Sequence, residues 1–239
     1  MFTAHNFILE LHTLRSDDEL RKIRRYFKSG EGDYGQGDIF MGVRMGSVFD
    51  LAKRYVEMSL DEIEKLLESD WHEARTGAVS IMDFQARNKK TSDSRRKELY
   101  DLYIRRHDRI NNWDLVDRSA IWVVGGYLYD KPTDRLYELA RSKNMWERRT
   151  AIVATAYFLK HKNVEHTFRI AELLVDDSQD LIHKAVGGWI RMAGAGTHRQ
   201  TLIDFLDKHA ATMPRVMLRY AIEKLDKNQR EHYLKLKTK

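Results

Sequence analysis

Asn111-Asn-Trp-Asp-Leu-Val-Asp117 is the stretch best equipped for chemistry. In a helix, Trp113 and Asp117 are four residues apart and share a face, whereas Asp114 lies on a different one. A carboxylate beside an aromatic ring can receive a positively charged group, the ring by cation–π contact and the carboxylate by direct attraction. The bland alternatives are a core tryptophan and a surface aspartate paired with a neighbouring cation.

The elements around this stretch give it context. Residues 3–28 read as two helices split near Ser16-Asp17-Asp18-Glu19, with Ser16 as N-cap and Glu19 three residues later. The second is strongly basic, with Arg21, Lys22, Arg24, Arg25 and Lys28 around Ile23, Tyr26 and Phe27. A glycine-rich loop follows, Ser29 to Asp38. It lacks the GxxxxGK[ST] pattern, and Glu31, Asp33 and Asp38 would repel phosphate, so a shaped surface loop is expected rather than a nucleotide cradle. Phe40-Met-Gly-Val-Arg44 then leads into a helix through Tyr55.

From there a unit recurs, a short amphipathic helix, a turn and a longer helix. The short helices are expected at Leu60–Leu67, Glu98–Ile104, Leu136–Ala140, Ile170–Leu174 and Leu202–Leu206. The long ones begin near Trp71, Trp113, Trp146, Asp180 and Met213. Glu73-Ala-Arg-Thr-Gly-Ala-Val matches Glu147-Arg-Arg-Thr-Ala-Ile-Val, and extending that frame puts Arg75, Asp117, Arg149, Lys184 and Arg215 at one repeat position. The spacing fits two-helix repeats stacked as an α-solenoid. The expected fold is therefore all-α, a HEAT-like superhelix in a single domain over 1–239, with N-terminal helices and the glycine-rich loop at 1–58 and repeats at 59–239. An irregular helical bundle is the alternative. Recurrence of cations at one repeat position points to a basic trough interrupted by Asp117, although each cation alone reads as an ordinary solvated residue. Trp146 shares a repeat landmark with Trp71 and reads as core.

Composition sets outer bounds. Hydrophobic residues make up 42% and charged residues 33%, as in a charge-rich soluble helical protein. The net charge of +6 suits a nucleic-acid partner without requiring one. No run approaches about 18 apolar residues, so no membrane helix is expected, and the N-terminal residues lack a signal-peptide pattern. There is no cysteine, hence no disulfide or thiolate chemistry. The histidines form no HExxH-type pair; His161, His166 and His183 each read as surface residues, and neither a metal nor a cofactor is expected. A cytoplasmic monomer is the default.

Asn-Trp-Asp-Leu-Val-Asp at 112–117, Trp-Glu-Arg-Arg-Thr-Ala-Ile at 146–152, Ile-His-Lys-Ala-Val-Gly at 182–187 and Met-Pro-Arg-Val-Met-Leu-Arg-Tyr-Ala at 213–221 resemble the AlkD-like DNA alkylation-repair glycosylases. Tyr34 to Arg44 looks like that family's N-terminal signature too. The similarity runs from about residue 20 to 235. It implies HEAT-like repeats that grip duplex DNA and hydrolysis of the N-glycosidic bond of cationic N3- or N7-alkylated purines. Asp117 matches the family's active-site aspartate, Trp113 a cleft aromatic, and Arg149 a basic residue that contacts the DNA backbone beside them. The catalytic set implied is thus Asp117, Trp113 and Arg149. The DNA-contacting set expected is Tyr26, Arg44, Arg75, Arg149, Lys184, Trp189, Arg191 and Arg215. The chain departs from the pattern where Gly188 occupies the slot of a second cleft tryptophan and Met192 replaces an acid. Trp189 follows one residue later, about 100° around a helix. Gly46 stands where proline is common. A DNA-binding protein that has lost base excision is therefore the second reading, and a protein-interaction solenoid the third.

Overall fold

The computed structural model describes residues 2–236, and the regular structure among them is helical. The chain divides between Tyr127 and Leu128 into two compact units. The first contains α1 (Ala4–Thr13), α2 (Asp17–Tyr26), α3 (Met45–Arg54), α4 (Leu60–Leu67), α5 (His72–Arg87), α6 (Asp93–Arg105) and α7 (Trp113–Ala120). Helix α7 runs on through a π turn, Ile121–Gly125, into α8 (Gly126–Leu128), where the units divide. The second contains α9 (Asp134–Ala140), α10 (Met145–Lys160), α11 (Glu165–Leu174), α12 (Asp180–Ala193), α13 (Arg199–His209), α14 (Arg215–Ala221) and α15 (Lys227–Lys235).

Each unit is a stack of two-helix repeats of the α-solenoid class. In the first, α3, α5 and α7 pack side by side in series, with α4 against α5. In the second, α10, α12 and α14 form the series, with α9 and α11 behind. The short helices do this by amphipathicity: α4 buries Ile63, Leu66 and Leu67, one stripe at helical spacing. Helix α5 is different, because nearly all of its residues are buried, including His72, Glu73, Arg75, Ser80, Asp83 and Gln85. A polar helix in the interior has to bring its own partners, and these organise the site.

Local signals explain the entry into this core. Ser16 caps α2, its hydroxyl accepting from the Glu19 amide at 3.4 Å. Gly42 has φ +86°, and a Cβ there would meet the Ser16 carbonyl oxygen at 2.6 Å, so only glycine lets this segment pass. Glu73 holds the same segment from below, accepting from the amides of Met41, Gly42 and Val43 at 2.9, 2.9 and 3.2 Å.

Several expected bounds need adjusting: the helix expected at Ile170–Leu174 begins at Glu165, and that at Leu202–Leu206 spans Arg199–His209. The last long helix, placed near Met213, is only the seven-residue α14, begun after Pro214 and followed by a turn and α15. The short helix expected at Glu98–Ile104 extends back to Asp93, because Ser92 caps it by accepting from the Arg95 amide at 3.1 Å.

Candidate functional site

The site is built on the first turn of α7. Asn112 is its N-cap, in extended conformation, and its side-chain oxygen accepts from the Trp113 amide at 2.8 Å. The other end of that side chain donates to Asp38 Oδ2 at 2.6 Å, tying the helix start to the end of the glycine-rich loop. With the cap fixed, helical spacing turns Trp113 and Asp117 the same way. Trp113 stacks on Phe27, centroids 5.5 Å apart and planes 16° apart, while Tyr26 meets it edge-on at 5.8 Å. Tyr26 is 68% exposed, which leaves a ring at the rim of the site accessible.

Trp113 and Asp117 line an open cavity of about 340 Å³, a volume in the range of ligand pockets. Phe27, Met45 and Phe49 form its apolar wall, and Arg87 and Arg118 also line it. Asp114 lines it too, although it lies a third of a turn from Trp113 around α7. Its Oδ2 sits 2.8 Å from His72 Nε2 on α5.

Arg118 is held by several partners. Its guanidinium lies 4.6 Å from the ring centroids of both Phe49 and Phe84, donates to Ser80 Oγ at 3.0 Å and pairs with Asp83 at 3.3 Å. Arg87 joins the same carboxylate at 2.8 Å. Burial pushes the Asp83 carboxyl up from its ordinary range against the pull of both arginines. Burial likewise pulls the Arg118 guanidinium down, opposed by Asp83.

Most of the other expected cations are bonded within their own unit. Arg75 was expected on an open basic face, but it is 3% exposed, paired with Asp38 and donating to Asn111 Oδ1 at 2.5 Å. Arg149 is 7% exposed and donates to the Leu181 carbonyl at 2.7 Å. Arg215 is half-buried and donates to the Leu234 carbonyl at 2.7 Å. Arg149 and Arg215 reach into the following segment of their own unit, and Arg75 ties the preceding loop to the turn before α7. The recurrence thus has a packing cause, since each repeat leaves carbonyls or acids that a long cationic side chain satisfies.

Lys184 pairs with Asp180 along α12 at 2.6 Å, and Arg191 pairs with Glu223. Trp189 is half-buried, and Arg44 is exposed at the start of α3. Gly187 is held in place by packing, because a Cβ there would meet the Met217 carbonyl oxygen at 2.4 Å. A Cβ on Gly188 would meet nothing within 4 Å, so packing does not demand glycine at the position that departs from the family pattern.

The site contains residues that sequence reasoning passed over. Asp38 read as a loop acid, and His72 carried no motif at all. No short-range pattern marks either, because their partners lie 34 to 74 residues away. No group of three or more His, Asp or Glu suited to hold a metal occurs among the described residues, and none of their helices is long and apolar enough to cross a membrane.

The sequence matches the DNA alkylation repair enzyme family over residues 7–225, nearly the whole chain. The chain belongs to that family. A solved structure, the predicted DNA alkylation repair enzyme from Enterococcus faecalis, aligns with a TM-score of 0.68 at 16% identity. The alignment covers 89% of this chain and 97% of that one, and at this identity it supports the fold. No curated protein matches. Membership of the DNA alkylation repair enzyme family supports a role in DNA repair.

Proposed function

We propose that this protein is a DNA glycosylase that hydrolyses the N-glycosidic bond of purines made cationic by alkylation at N3 or N7. The observation that carries the reading is the shared face of Trp113 and Asp117, opening on a cavity walled by Phe27, Met45 and Phe49. Alkylation at N3 or N7 gives the base a positive charge and makes it a good leaving group. As the bond breaks, that charge passes to the sugar as an oxocarbenium ion. A carboxylate facing the sugar stabilises it and orients the attacking water, with no need for an acid to protonate the departing base. Trp113, backed by Phe27, supplies a π face to the cationic base or sugar, worth roughly 0.5–2 kcal/mol.

This mechanism selects by leaving group. Duplexes carrying a single N7-methylguanine or N3-methyladenine should release free base, whereas duplexes carrying uracil or another uncharged base should release none. Comparable release of a neutral base would require a general acid that the mechanism does not include, and would overturn it.

Helix α2 is proposed as a contact to the phosphate backbone beside the site. Arg21 pairs with Asp18 and Lys22 with Glu19 within the helix. Arg24, Arg25 and Lys28 are exposed, on the same segment as Tyr26 and Phe27. Replacing Arg24, Arg25 and Lys28 together by Ala should flatten the dependence of log affinity on log salt by about one unit for each phosphate left without its cation. An unchanged slope in a salt titration would place the backbone elsewhere.

The second reading, a family member that binds DNA without excising a base, draws on Gly188. The leaving-group experiment separates the two, since that reading predicts salt-sensitive binding and no free base from any lesion.

A further inference from the structure

Beneath the Trp113–Asp117 face lies a buried charge cluster that the proposed chemistry does not use. The His72 side chain is 1% exposed. Its Nε2 is 2.8 Å from Asp114 Oδ2, and its Nδ1 is 3.5 Å from Asp38 Oδ2. The rings of Phe27 and Phe40 lie against the imidazole at 5.1 and 4.8 Å. Asp38 is bonded in turn to Arg75 and to Asn112, the N-cap of α7. One imidazole therefore joins the end of the glycine-rich loop, the start of α5 and the first turn of α7.

The charges of Asp38, Asp114 and Arg75 balance when that imidazole is protonated. Asp38 comes from the loop, Asp114 from α7 and Arg75 from α5, which leaves one negative charge to balance in the interior. Glu73, next along α5, is taken up by the amides of Met41, Gly42 and Val43. The end of α2 and the segment after the loop add the apolar rings of Phe27 and Phe40. A neutral imidazole has one N–H, whereas an imidazolium carries two and turns one to each carboxylate, here a hydrogen bond to Asp114 and an ion-pair contact with Asp38 at 3.5 Å. An uncompensated buried carboxylate is costly, so the cluster favours the charged form.

We infer that His72 is a positioning residue of the site: held between Asp38 and Asp114, it locks the first turn of α7 against the loop and so sets how Trp113 and Asp117 face the cavity. Burial is the largest single influence on the imidazole and pulls its pKa down, but Asp114 and Asp38 outweigh it and raise the value to about 9. The folded value thus exceeds the ordinary value of about 6.5. The stabilisation from this clasp is fully present below pH ~6.5 and is lost as pH rises through about 9.

The activity consequence rests on the glycosylase reading, whereas the structural consequence does not, and the test separates them. His72→Gln keeps hydrogen-bonding capacity and removes the charge. Single-turnover base release by this variant should fall roughly tenfold to a hundredfold, the scale of a misplacement of about 1 Å, with DNA affinity changed less than about threefold. The charge-balanced double variant His72→Gln with Asp114→Asn should lose less than the product of the two single losses.

Independently, the imidazole resonances of His72 in the wild-type protein should titrate near pH 9, and the Trp113 indole resonance should move with the same midpoint. The inference is overturned if His72 titrates at or below about pH 6.5, if Trp113 ignores the titration, or if His72→Gln retains full rate. Absence of base release by the wild type would count against the glycosylase reading alone, and the resonance titration would still decide the role of His72. That titration uses the wild-type chain, so a variant that fails to fold does not block it.

Discussion

Replacing Asp117 by Asn is expected to slow release of a cationic alkylpurine by roughly a thousandfold while leaving affinity for alkylated duplex within a few-fold. The magnitude follows from the charge that develops in the transition state. A carboxylate about 4 Å from an oxocarbenium centre, at an effective dielectric near 20, contributes roughly 4 kcal/mol. Realised wholly in the transition state, at about 1.4 kcal/mol per factor of ten, it corresponds to the thousandfold loss. Asparagine preserves shape and one acceptor oxygen and removes the charge, so binding is expected to change little. The substrate is already labile, which is why one electrostatic contribution suffices. A variant that retains most of the wild-type rate would move the chemistry off Asp117.

The second large effect is on stability. Glu73→Ala is expected to destabilise the protein by on the order of 3–5 kcal/mol, read as a shift in the denaturation midpoint with little change in slope. Glu73 is fully buried, and its carboxylate accepts three successive amides, those of Met41, Gly42 and Val43. Truncation leaves those donors buried without an acceptor, and each costs about 1–3 kcal/mol. The segment cannot swing out to water without cost, because Gly42 passes close to Ser16 and the Ser16 amide donates to the Gly42 carbonyl at 2.9 Å. A loss under about 1 kcal/mol, below the cost of even one unsatisfied donor, would show that the loop finds other partners. Glu73→Gln keeps one acceptor oxygen and should fall between wild type and Ala.

Local signals in the sequence carried the helices and one face of the site. The stripe Ile63, Leu66, Leu67 placed α4 to the residue, and Ser16 with Glu19 placed the start of α2. Spacing alone turned Trp113 and Asp117 to one face. The interior of the first unit was not legible, because its polar groups are satisfied by partners distant in the chain. Asp38 meets Asn112 across 74 residues and His72 meets Asp114 across 42, and neither pair leaves a periodic trace. The column of recurring cations was legible as a pattern but ambiguous as to direction. A long basic side chain at a repeat position serves a neighbouring carbonyl as readily as a phosphate, and Arg75, Arg149 and Arg215 are bonded to protein acceptors. Asp114 lies a third of a turn from Trp113 on the helix, and the structure gives that direction to His72.

The central claim is that this chain breaks the N-glycosidic bond of a cationic purine with Asp117. The most direct test is a single-turnover incubation of excess protein with a duplex carrying one N7-methylguanine, following free base and abasic site together for wild type and Asp117→Asn. The account predicts equal amounts of free N7-methylguanine and abasic site from the wild type, and a roughly thousandfold slower appearance of both with the variant bound to the same duplex. A wild-type protein that binds the duplex and leaves the lesion base in place would contradict it.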